Sequence, residues 1–148
     1  MLGRAGAMQL ERVVDLDPRS TLDPATWTQS SRRWASVTAV ALDENPGDLS
    51  SHDPKTAADA AARAEEIVAR SCERIGLSRP AWVQVMRRSL FDAAPDAVEF
   101  MPFPRLGKGP RRVCIHVEML FQEPVAGPVL IGAGRYFGLG LCLKREAS

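Results

Sequence analysis

The sequence lacks the residues from which most metal centres and oxidised folds are built. Its three cysteines, Cys72, Cys114 and Cys142, form no C-x-x-C pair. That argues against a structural zinc site and for a reduced, cytoplasmic setting, with the thiols as small core fillers. Only two histidines are present, His52 and His116. No His/Asp/Glu grouping has metal-ligand spacing, so neither a metal nor a cofactor is expected. Long apolar runs are also missing, which argues against a membrane-spanning helix. The first residues are too polar for a secretory leader. No G-K-[ST] tripeptide occurs, which excludes a Walker loop, and a G-x-G-x-x-G dinucleotide fingerprint would need glycine where Phe137 stands.

What is present is typical of one soluble domain: 148 residues, 45% hydrophobic and 25% charged. The net charge of +1 says little, but its distribution says more. Residues 1–78 carry nine Lys/Arg against twelve Asp/Glu; residues 79–148 carry ten against six. The excess clusters at Arg87-Arg88, at Arg105, Lys108, Arg111 and Arg112, and at Arg135, Lys144 and Arg145. A one-sided basic surface suits a phosphate backbone. A solvated face accounts equally for any single pair.

The richest segment lies near the end. Gly132, Gly134, Gly138 and Gly140 follow a G-x-G-x-x-x-G-x-G spacing, with Arg135-Tyr136-Phe137 between the two pairs. Glycine serves where a backbone needs positive φ or close approach, and a guanidinium suits phosphate. The loop therefore either lays backbone and a cation against a polyanion or makes a tight turn into a last strand. Tyr136, the single tyrosine, either stacks on a base or packs beside Phe137.

Periodicity supplies the frame. Residues 1–33 read as a lead-in from an upstream segment, with a short strand at Leu10–Val14 and loop from Asp17 to Ser31. Residues 34–148 read as the domain. Trp34–Leu42 is β-rich and ends at a polar turn. Asp53-Pro54 opens a helix whose apolar residues recur at three- and four-residue steps up to Gly76, a natural C-terminal cap. Ala81–Met86 is a second strand, and residues 89–110 a long loop that could hold a hairpin arm. In Arg112–Phe121, Val113, Ile115, Val117, Met119 and Phe121 alternate with Arg112, Cys114, His116, Glu118 and Leu120. A short helix within Gly127–Phe137 and a strand over Leu139–Lys144 complete a β-α-β-β-(short α)-β order. That is an α+β, ferredoxin-like pattern of four strands, with one sheet face under the helices and the other open. No aromatic stands on the polar face of the third strand, which excludes an RNA-recognition motif.

Several blocks in order resemble one family: Trp34-Ala35-Ser36-Val37-Thr38, Ala41-Leu42-Asp43, Cys72–Leu77, Arg112–Phe121, Glu123-Pro124-Val125 and the glycine-rich end. The sequence from Leu10 to Leu143 is similar to the C-terminal part of the CRISPR-associated fusion proteins of type I-U (I-G) systems. There a backbone-capping subunit is joined to a subunit that processes repeat RNA, and both are ferredoxin-like RAMP domains with a glycine-rich loop. The resemblance does not extend to the capping domain, so the sequence is expected to be either a dissected domain or a naturally split subunit. The resemblance implies binding of the CRISPR repeat RNA and metal-independent cutting of the precursor into guide units, alongside other subunits of a type I effector complex. The alternative it leaves open is a non-catalytic RAMP subunit that holds guide RNA. Cleavage needs a group to take the 2′-OH proton, and histidine is the usual choice. His52, one residue before the helix cap, and His116, mid-strand on the expected open face, are the candidates, with Tyr136 beside them. RNA contacts are expected from Arg105, Lys108, Arg111, Arg112, Arg135, Lys144 and the four glycines.

Overall fold

The structure is a computed structural model that describes residues 23–100 and 111–145. It is an α+β arrangement of two α-helices and a six-stranded antiparallel sheet. The leading helix, α1 (Pro24–Thr28), falls within a stretch expected to be loop. Asp23 accepts from Ala25 N and Pro24 opens the first turn, so proline and aspartate here start a helix rather than forbid one. The expected strand at Leu10–Val14 lies outside the described residues.

The first long strand is interrupted. β1 (Ser31–Ser36) and β2 (Val40–Ala41) both pair with β4 (Cys114–Val125), and the irregular stretch Val37–Ala39 separates them. β3 (Trp82–Met86) runs along the other side of β4, with Val83 opposite Met119 and Met86 opposite His116. β6 (Leu141–Lys144) pairs with β1, and β5 (Val129–Leu130) adds an outer strand to β6. Six strands thus replace the four expected. Two come from the break in the first strand and the small hairpin before the last one, features too short to show as periodicity.

Helix α2 (Pro54–Arg74) covers one sheet face. Its buried Ala60, Ala64, Ile67, Val68 and Cys72 lie at helical spacing and meet Trp34, Val83, Ile115, Val117, Met119 and Phe121. Each large aliphatic side chain removed from water here contributes about 2 kcal/mol. Gly76, at φ +87°, follows the helix as a cap, because a Cβ would strain that left-handed backbone.

The opposite face is not open over most of its length, which corrects the sequence reading. The chain after β3 folds back and places the 3-10 turn Ala97–Phe100 on it. Ala39, Ala41, Ala97, Cys114 and Leu139 form a second small core there, with Phe100 against it. Among the described residues this face clears toward Gln84 and toward Trp82 and Leu120, cross-strand neighbours that stay about 40% exposed. No strand forms in residues 89–100. No helix among the described residues is long and apolar enough to cross a membrane.

Candidate functional site

The glycine-rich segment divides into anchors and a tip. Gly132 has φ +82°, and a Cβ on it would stand 2.5 Å from Ala41 O. Gly140 has φ +73°, and a Cβ there would stand 1.9 Å from Ile131 O. A Cβ on Gly134 would meet Leu139 at 2.7 Å. These glycines are therefore required by contacts inside the protein. Hydrogen bonds hold the same frame: Gly132 N donates to Ser71 Oγ of α2 at 2.9 Å, Ala133 N to Ala41 O at 2.9 Å and Gly140 N to Ala39 O at 2.9 Å. Gly138, at φ +80° with open space where its Cβ would be, ends the 3-10 turn Arg135–Phe137.

Clamped at both ends, the loop thrusts its middle outward. Tyr136 is 84% and Phe137 75% exposed. The guanidinium of Arg135 lies 4.8 Å from the Tyr136 ring centroid, and one of its nitrogens donates to Gly132 O at 3.3 Å. An aromatic pair beside a cation is a surface on which a planar π-system can stack and a phosphate can be met. Tyr136 therefore lies outside the core, with its ring against the Arg135 guanidinium.

The two histidines have opposite surroundings. His52 is exposed in the turn that precedes α2. The next residue, Asp53, accepts from Lys55 N and Thr56 N. The Thr56 hydroxyl, chiefly, and then the backbone donors hold the Asp53 carboxyl below its usual range. His116 is 1% exposed. Its Nδ1 lies 2.9 Å from Ser36 Oγ and its Nε2 lies 3.0 Å from Pro95 O. Val117 N also donates to Ser36 Oγ. The Ser36 carbonyl lies 3.3 Å from the same Nδ1, so both ring nitrogens have polar partners inside the protein. His116 thus ties β4 to β1 and to the covering loop. It does not face solvent, as an open sheet face would have required.

The basic residues also separate. Arg111 is exposed. Arg112 Nη1 donates to Asp43 O at 2.6 Å and Leu42 O at 3.2 Å, so it braces the end of β2. Lys144 reaches Gln29 Oε1 beside α1. Arg145 lies 3.6 Å, and Arg33 2.8 Å, from Glu118 Oε1, a buried carboxylate held by two guanidinium groups. Arg105 and Lys108 lie outside the described residues.

A second feature escaped the sequence reading. The turn 47–50, the segment after β3, the 3-10 turn Ala97–Phe100 and the start of β4 line a cleft of about 610 Å³. Trp82 was likewise missed as a surface aromatic. The alternation of Val83 and Val85 toward α2 with Trp82 and Gln84 away from it was the available signal. Cys72, Cys114 and Cys142 are all free and buried, and burial pushes the Cys72 thiol up to about 12.

Neither a curated protein nor a solved structure matches the sequence. A family model does match, that of the CRISPR-associated protein, GSU0054 family, over residues 9–144, which takes in every strand and helix described above. The chain accordingly belongs to the GSU0054 family of CRISPR-associated proteins.

Proposed function

We propose that this chain is a repeat-RNA-processing endoribonuclease of the RAMP type, working with other subunits of a type I effector complex. The observation that carries the reading is the clamped loop whose Arg135, Tyr136 and Phe137 face outward in a CRISPR-associated chain. Single-stranded RNA is held by stacking on such aromatics and by cations on its phosphates. The topology supports a ferredoxin-like origin. β1 with β2, α2, β3, β4 and β6 follow the β-α-β-β-β part of that order, and the Arg135–Phe137 turn stands where the second helix would be. The small β5 strand is then an addition at the edge.

His52 is the acid–base group in this reading. It is at the surface, while His116 is fully engaged inside. The imidazole takes the proton from a ribose 2′-OH, and that oxygen attacks the adjacent phosphorus. The P–O5′ bond breaks, and a proton reaches the departing 5′-oxygen. The products are a 2′,3′-cyclic phosphate and a 5′-OH, with no metal needed. Arg135 and Arg111 meet the phosphates, while Arg112 and Lys144 support the surface from below.

The test is incubation with the cognate repeat RNA in excess chelator. Cleavage to a cyclic phosphate is expected. His52→Ala is expected to slow it by roughly two to four orders of magnitude with affinity retained. Binding without cleavage would leave the non-catalytic guide-binding subunit. Loss of cleavage in Tyr136→Phe but not in His52→Ala would move the proton transfer to the phenol.

A further inference from the structure

The cleft beside β4 has no part in the reaction just described. Its apolar lining is Leu49, Ala97 and Val113, with the exposed Val98 at the rim. Its rim is charged in a particular order. Arg87 donates one Nη2–H to Ser50 Oγ, which fixes the guanidinium at the mouth. Arg88 lies 3.5 Å from Asp96, and Asp48 accepts from Ser50 N at 2.8 Å. Two arginines and two carboxylates therefore face one apolar slot. That combination does not suit a fatty or purely anionic ligand. It suits a molecule with a flat apolar face, an edge that donates hydrogen bonds and an anionic group.

We propose that this cleft is a ribonucleotide pocket that takes one unpaired nucleotide of the bound RNA, base inward and phosphate at Arg87. The RNA source rests on the function proposed above; the pocket rests on its own lining. Leu49 and Val98 give the base apolar contact, which any base accepts because each presents a flat, weakly polar face. Arg87 meets the phosphate with its remaining donors. Asp48 and Asp96 only accept, so they favour a base edge with an exocyclic amino group over that of uracil. His52 follows Ser50 by two residues, so a nucleotide seated here lies against the turn that carries the histidine.

The experiment is a titration of the ¹⁵N-labelled full chain with each ribonucleoside 5′-monophosphate, read from amide shifts. Saturable shifts are expected at Leu49, Ala97, Val98 and Val113. AMP, GMP and CMP should bind more tightly than UMP, and Arg87→Ala should weaken each by roughly tenfold. Val98→Trp, on a residue 70% exposed at the rim, should block the slot without disturbing the fold. No saturable shift, or shifts at the Tyr136 tip that Val98→Trp leaves untouched, would overturn the pocket. The same two chains are then offered the repeat RNA. RNA bound equally by both, with no nucleotide in the cleft, removes the pocket and keeps the function. Nucleotides in the cleft with no RNA bound by the wild type supports the pocket and removes the function.

Discussion

The two ends of the glycine-rich loop and its middle span nine residues and do opposite work. Gly132 and Gly140 touch backbone that leaves no room for a methyl group. Tyr136 and Phe137, a few residues away, are among the most exposed large side chains described. The lesson is that a glycine-rich pattern beside an arginine does not itself mark backbone against a ligand. Here the glycines let the loop fold tightly enough on β2 and β5 that the other residues have nowhere to go but outward. The same division holds for the histidines: one is a tie inside the sheet, the other stands at a turn.

This contrast can be broken most decisively at its anchor. Gly140→Val combines a left-handed backbone with a clash against Ile131 O. It is expected to cost about 3 kcal/mol or more, read as a lowered denaturant midpoint. Gly138→Ala, with the same sign of φ but open space, should cost only about 1 kcal/mol. Equal effects at the two positions would mean that φ alone matters and that the clamp is not real.

The histidines sharpen it next. His116→Ala removes partners from Ser36 Oγ and Pro95 O in a buried site and is expected to destabilise by about 2 kcal/mol. His52→Ala should leave stability within about 0.5 kcal/mol. A reversed order in chemical denaturation would contradict the assignment of one as structural and the other as free for chemistry.

The smallest effect concerns the turn that holds His52. Asp53 has a folded-state pKa below its ordinary value, mainly through the Thr56 hydroxyl. A depressed carboxyl contributes stability that is present above its unfolded pKa of 3.8 and lost as pH falls through the lower folded value. Wild type should therefore lose a little more stability below about pH 4 than Asp53→Asn does. Parallel acid titrations of the two by circular dichroism would show the difference, and coincident curves would refute it.

What the sequence by itself determined was local. The Asp53-Pro54 start, the apolar stripe, the Gly76 cap and the alternation in β4 each depend on neighbours within a few residues, and each stands in the structure. That the chain is CRISPR-associated is legible too, from blocks spread in order over the range that the family model matches. Only tertiary structure decided which polar residues are available. Alternation puts His116 on the face away from α2, but the return of residues 87–100 buries it. Arg112 and Lys144 look like surface charge until carbonyls and an amide from distant segments are seen to use them. The cleft exists because the turn at 47–50 meets the segment after β3 and the start of β4, three stretches far apart in sequence. Periodicity reports the direction of a side chain from its own strand or helix. Whether another part of the chain then covers it depends on long-range packing, which no local pattern encodes.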